Sequence, residues 1–173
     1  MVTIYEYGNP DADTVLIQLT GDHELSVLEN EVEEIRKRTS IDFRFIAAKV
    51  DDWNYELSPW KASADIPLPV YFHYGQHIRQ TYFLALWFPG FIDYMKEHEI
   101  KSETVYLSLG DREEKTRNPV MSQVGNCIRM GHEWLIERGI NCTLEWNQGN
   151  HFKEPDIRTA KAFAWVMEEN HRA

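Results

Sequence analysis

The chain has 173 residues, 43% of them hydrophobic and 13% aromatic, with a formal net charge of −10. Its length is most simply one domain able to bury a real core, and its hydrophobic content argues against disorder. The acidic balance, with no basic stripe, argues against a nucleic-acid partner, because phosphate binding draws on clustered Lys and Arg.

The opening run MVTIYEYGNPDAD lacks a basic region ahead of a long apolar stretch, so no signal peptide is expected. No apolar stretch approaches the roughly 20 residues that cross a bilayer, so no membrane partner is expected. A soluble, cytoplasmic protein is the default. Cys127 and Cys142 form neither a metal spacing nor a disulfide framework, and read as reduced core residues. No metal and no cofactor are expected.

In chain order, residues 2–7 (VTIYEY) form a short strand ended by Gly8, Asn9 and Pro10. Residues 14–19 (TVLIQL) are nearly all apolar, the mark of a strand buried on both faces. Residues 20–23 turn, and 24–38 read as one helix with Leu25, Leu28, Val32 and Ile35 on one stripe. The next strand is 43–50 (FRFIAAKV). Strand, helix, strand points to a parallel α/β sheet, because parallel neighbours need a crossover.

Residues 51–64 (DDWNYELSPWKASA) have no period; their tryptophans either line a pocket or cap the end of the sheet. Ser58 and Lys61 fit S-x-x-K, but Pro59 follows the serine and no S-D-N or K-T-G partner is present. Residues 65–86 (DIPLPVYFHYGQHIRQTYFLAL) are atypical, broken by Pro67 and Pro69. His73 and His77 stand four apart there, with Gly75 between them and no helix to carry them as a metal pair. WFPGF, beginning at Trp87, leads into a short helix through Lys96. A strand at 104–109 (TVYLSL), a charged loop at 111–119 and a helix over 120–138 follow. That helix should turn Val124, Ile128, Leu135 and Ile136 inward, with Gly139 as its left-handed stop. A strand at 142–146, a turn through Asn147 to Asn150, His151 and a helix from Pro155 complete the chain. In that helix Ile157, Ala160, Phe163, Ala164 and Met167 recur at helical spacing.

In parallel α/β sheets ligands bind outside the carboxyl ends of the strands. Residues 110–114 (GDREE) and 149–152 (GNHF) both follow strands, so an acid and a histidine should meet at that edge. A carboxylate on one ring nitrogen fixes the imidazole tautomer, and the other nitrogen can then take a proton. The plain alternatives are a solvated acidic loop and a surface histidine. Tyr106 and Trp134 read as core.

Two runs carry a family resemblance: ALWFPGFIDYMKEHEIKSETVYLSLGDREEKTRNPVM and GINCTLEWNQGNHFKEPDIRTAKAFAWVM. Together they resemble the esterase branch of the α/β-hydrolase superfamily, relatives of enterochelin-type and feruloyl esterases. VTIYEYGNPDADTVLIQL and DDWNYELSPWKASA look like the N-terminal half of the same hydrolases. The resemblance covers roughly residues 1–64 and 85–169 as a whole-chain pattern. It implies one α/β domain over 1–173, with a mainly parallel sheet flanked by helices in a shortened three-layer sandwich. It implies His151 as catalytic histidine and, in the loop after TVYLSL, Glu113 in preference to Asp111 as its acid. Backbone N–H groups near Gly21 and Asp22 would match one arm of an oxyanion hole. Trp53, Trp60 and Trp87 would form a pocket rim.

The family's G-x-S-x-G nucleophile elbow is absent, and residues 65–86 stand where its strand and serine belong. A His–acid pair without a nucleophile forms no acyl-enzyme, and loss of the serine alone costs on the order of a millionfold. The expectation is an esterase by descent, impaired or inactive, acting on a small-molecule ester if active. The alternatives are a non-catalytic binding domain derived from a hydrolase, and a truncated product without selected function. Losing the central strand would bare apolar surface, to be covered by the TYFLAL segment as a substitute strand or by a homodimer across the gap.

Overall fold

The computed structural model describes residues 3–49, 104–119 and 121–172. The chain divides into two compact units, residues 1–78 and 79–173, and each is described by itself. Both are mixed α/β, with small sheets flanked by helices. Trp53, Trp60, Trp87, the 65–86 segment with His73 and His77, Ser58 and Lys61, and the helix through Lys96 lie outside the described residues.

In the first unit β1 (Thr3–Gly8), β2 (Thr14–Thr20) and β3 (Phe43–Lys49) form one sheet in the order β1-β3-β2. β2 and β3 are parallel, from Thr14 opposite Phe43 to Thr20 opposite Lys49. Their connection carries two helices, α1 (Asp22–Leu25) and α2 (Leu28–Arg36), which supply the crossover that a parallel pair requires. β1 runs antiparallel to β3, so this sheet is only partly parallel. Residues 9–13 need only span one intervening strand, roughly 10 Å, to reach β2. Gly8 makes the exit at φ +85°, where a Cβ would meet the Phe43 carbonyl oxygen at 2.3 Å. Asn9 then donates its backbone N–H to that oxygen at 3.0 Å.

Period-2 alternation decides which side of this sheet is dry. Leu16, Thr20, Phe43, Phe45 and Ala47 are buried, as are Leu28, Glu31, Val32 and Ile35 of α2. The Gln18 side-chain amide donates to Glu31 at 3.2 Å, tying β2 to α2. The expected strand buried on both faces is corrected here: Val15 and Ile17 are 44% and 55% exposed. A continuous apolar run counts residues, not faces. Val15 and Ile17 point opposite to Leu16.

The single helix expected over 24–38 is also corrected, to two. Ser26 donates its hydroxyl to the His23 carbonyl at 2.8 Å, and Val27 leaves helical geometry at φ −119°, ψ 3° before α2 begins. Serine competes for local backbone acceptors in this way, which breaks a helix that periodicity alone would continue. The apolar stripe survives the break: Leu28, Val32 and Ile35 are buried and Leu25 is half-buried.

In the second unit β4 (Thr104–Gly110) and β5 (Asn141–Asn147) are parallel, from Thr104 opposite Asn141 to Gly110 opposite Asn147. A 3-10 turn (Met121–Gln123) and α3 (Val124–Glu137) cross between them. α4 (Pro155–Arg172) follows β5. Val105, Leu107 and Leu109 of β4 pack with Val124, Cys127, Ile128, Trp134 and Leu135 of α3. On the opposite face Tyr106 packs with Ala162 and Val166 of α4, and its ring lies 5.7 Å from that of Trp165. Helices therefore cover both faces of this two-stranded sheet. Both cysteines are free and buried, and burial pushes the Cys142 thiol up to about 12. Ile136, expected inward, is 48% exposed. One residue on from Leu135 is about 100° around the helix, away from the Val124–Ile128–Leu135 stripe. Gly139 ends the helix at φ +74°.

Candidate active site

Two loops at the carboxyl ends of β4 and β5 are stitched together. Asp111 donates its backbone N–H to the Asn147 carbonyl at 2.8 Å, and Arg112 donates to the Gly149 carbonyl at 3.0 Å. The Asp111 carboxylate accepts the Gly149 N–H at 2.8 Å. The approach is close enough to demand glycine on one side: a Cβ at Gly110 would stand 2.5 Å from the Gly149 oxygen. Beyond Gly149 the Asn150 side chain accepts the Phe152 N–H at 3.1 Å, a local turn device that sets His151 on the rim.

Glu113 stands at the centre. Its backbone N–H closes a turn onto the Gly110 carbonyl at 3.0 Å. Its side chain curls back, so that Oε1 accepts the Gly110 N–H at 2.7 Å. Oε1 also accepts from Arg158 Nη1 at 3.1 Å, while Oε2 lies 3.1 Å from His151 Nδ1. The Glu113 side chain is 4% exposed and that of His151 is 57% exposed. Burial by itself raises the Glu113 pKa. The hydrogen bonds from His151 and Gly110 and the charges of His151 and Arg158 outweigh it, and hold the carboxyl below its ordinary value. An ionised carboxylate only accepts, so Nδ1 carries the proton in this contact and Nε2 of the neutral ring keeps a lone pair. The Phe152 ring stands edge-on to the imidazole at 5.2 Å.

A polar network continues under α4. Arg158 Nε donates to Ser108 Oγ at 3.1 Å, and its Nη1 reaches the His151 carbonyl at 3.4 Å. Asn147 Nδ2 donates to Ser108 Oγ at 3.0 Å, and Lys161 bridges Asn147 at 3.3 Å and Glu145 at 2.8 Å. The Tyr106 hydroxyl donates to Glu145. Burial raises the Tyr106 pKa, as do the Glu145 hydrogen bond and charge, so the phenol stays protonated. Burial also acts to raise the Glu145 carboxyl, but the bonds from Lys161 and Tyr106 prevail and lower it.

Of the residues singled out by sequence, the structure brings Glu113 and His151 together. Asp111 does not meet the histidine; its carboxylate holds the Gly149 amide. Gly21 and Asp22 belong to the first unit. The Gly21 N–H is donated to the Glu24 carboxylate at 3.1 Å, and the Asp22 carboxylate pairs with Lys49 at 2.8 Å. Arg158 and Ser108 were not singled out by sequence. Arg158 carried one signal: a cation in the first turns of a helix opposes the macrodipole there and calls for a nearby carboxylate. Among the described residues no group of three His, Cys, Asp or Glu could hold a metal ion. No described helix is long and apolar enough to cross a membrane.

This arrangement can act as a general base. The buried anion stabilises the imidazolium that forms when Nε2 takes a proton from a hydroxyl or a water. Neither described serine of the second unit hydrogen-bonds His151: Ser108 serves Arg158 and Asn147, and Ser122 the Pro119 carbonyl. Searches against protein-family models, curated proteins and solved structures gave no match.

Proposed function

We propose that this chain is a hydrolase of the esterase branch of the α/β-hydrolase superfamily, shortened to a reduced three-layer sandwich, with Glu113 and His151 as the acid–base half of a carboxylic-ester site. One observation carries the reading. A buried, ionised Glu113 is hydrogen-bonded to an exposed His151 across two loops at the carboxyl ends of adjacent parallel strands. Its chemistry is general-base attack: His151 Nε2 takes a proton from water as the water oxygen bonds to the ester carbonyl carbon. The tetrahedral intermediate then expels the alkoxide oxygen, which the imidazolium protonates to the alcohol as the C–O bond breaks. General-base catalysis of this kind supplies about 10²–10⁴-fold, far below a complete serine triad. The reading is therefore of a weak esterase on small-molecule esters.

A second reading, a non-catalytic binding domain derived from a hydrolase, is favoured by the lack of any described hydroxyl or thiol in hydrogen bond with His151. Hydrolysis of p-nitrophenyl acetate and of an unactivated alkyl ester separates the two. The alkyl ester is included because any exposed imidazole attacks activated esters. The esterase reading expects slow turnover of both, abolished in His151→Ala and reduced about 10²-fold or more in Glu113→Gln, which cannot fix the tautomer. Equal rates for the parent and His151→Ala sink it. A folded chain that hydrolyses neither ester supports the binding reading.

A further inference from the structure

We infer that Arg158 is a positioning residue for the Glu113–His151 pair: it fixes one carboxylate oxygen of Glu113 so that the other is presented to His151. The inference rests on reading that pair as an acid–base site. It stands on the division of labour between the two oxygens. Oε1 is held twice, by the Gly110 N–H at 2.7 Å and by Arg158 Nη1 at 3.1 Å, and Oε2 faces His151 Nδ1 at 3.1 Å.

The guanidinium reaches three separate pieces of chain. Nε bonds Ser108 on β4, and Nη1 bonds Glu113 in the first loop and the His151 carbonyl in the second. Its side chain is only 13% exposed, so these bonds form largely out of water. A planar fork makes several such bonds at once, where an ammonium is a point charge on a flexible stem. Ser108 is held in turn by Asn147, so the clamp is anchored to both strands.

The guanidinium also supplies a charge. Among the described residues, the charged groups facing Glu113 are His151 and Arg158. Asp111 is turned to the Gly149 amide, and Lys161 and Glu145 pair with each other beyond Ser108 and Asn147. With a second cation on Oε1, Glu113 stays ionised when the imidazole takes a proton. The proton then remains on His151, available for the leaving alcohol.

The test uses the full chain labelled with ¹³C-glutamate and ¹⁵N-histidine, as the parent, Arg158→Met, Arg158→Lys and the exposed control Arg172→Met. In Arg158→Met the Glu113 carboxyl should titrate at higher pH than in the parent, and the downfield His151 Nδ1–H resonance should be lost or broadened. Arg158→Lys should keep the Glu113 titration near the parent's while weakening the Nδ1–H resonance, because the charge returns and the fork does not. Arg172→Met should change neither. Where the esters are hydrolysed, kcat should fall about tenfold to 100-fold in Arg158→Met with KM unchanged.

An Arg158→Met chain with the parent's titration and resonance overturns the inference. Should that variant fail to fold, Arg158→Lys decides: an undiminished resonance overturns it. Shifted signals in a chain that hydrolyses no ester support the clamp and overturn the esterase reading. Hydrolysis that is indifferent to Arg158, with unshifted signals, does the reverse.

Discussion

Gly110→Ala tests whether the two loops act as one body. The added Cβ would stand 2.5 Å from the Gly149 carbonyl oxygen, 3.1 Å from its carbon and 3.0 Å from Glu113 Oε1. Gly149 is backbone and cannot rotate away, so the second loop must retreat by most of an ångström to reach ordinary contact. That retreat stretches the Arg112 N–H bond to the Gly149 carbonyl and the Gly149 N–H bond to Asp111, now 3.0 Å and 2.8 Å. Weakening two such bonds costs about 1 kcal/mol each, and overpacking adds roughly 1–3 kcal/mol. The expected loss is about 3–5 kcal/mol, a fall in Tm of about 6–20 °C for a chain of this length. His151 rides on the displaced loop two residues beyond Gly149. A misplacement near 1 Å at a reacting group costs about 10²-fold in turnover. The measurements are thermal unfolding, the His151 Nδ1–H resonance and ester hydrolysis. A Gly110→Ala chain with the parent's Tm and an unmoved resonance would refute the reasoning.

Two further predictions concern stability alone. Gly139→Ala meets nothing within 4 Å, so its cost is backbone strain at φ +74°, about 1 kcal/mol and about 2–4 °C in Tm; an unchanged or higher Tm contradicts this. For Glu113→Gln the sign follows from the depressed carboxyl. A group whose folded pKa lies below its unfolded value adds stability above that unfolded value, near 4.5, and loses it as pH falls through the folded one. The parent should therefore exceed Glu113→Gln in urea midpoint at neutral pH, and the gap should narrow as the pH falls below 4.5 and the carboxyl takes up its proton. A gap that holds or widens in acid would show that the carboxylate's charge is not what stabilises the loop.

Elements with a strong local period were legible. The stripes of α2, α3 and α4 follow from 3.6-residue spacing, and Gly139 follows from the need for a left-handed stop. Faces and partners were less so. TVLIQL reads as wholly buried because hydropathy does not say how many sides of a strand are covered, and Val15 and Ile17 are exposed. Ile136 was drawn inward by composition when its angle points it out. The Ser26 break depends on one hydroxyl finding one carbonyl, which no periodicity encodes.

The same limit explains why the site was half legible. In the run Asp111-Arg112-Glu113-Glu114 composition describes only a solvated acidic loop, yet the three carboxylates have different fates. Asp111 is one residue past Gly110, and its short side chain reaches across to the Gly149 amide. Glu114 turns to α3, where Arg129 Nη2 meets both of its oxygens at 3.0 Å. Glu113 closes the turn that starts at Gly110, and that turn aims its carboxylate back at the Gly110 amide. Turn geometry, more than residue type, thus selects the acid that meets His151. Arg158 belongs to a helix 45 residues further on, and nothing local ties it to Glu113. Its selection required the helix to be docked first, since a cation in the first turns of α4 is unfavourable until a buried anion faces it. The carboxylate and the guanidinium are each costly to bury alone, and each supplies the condition under which the other is stable.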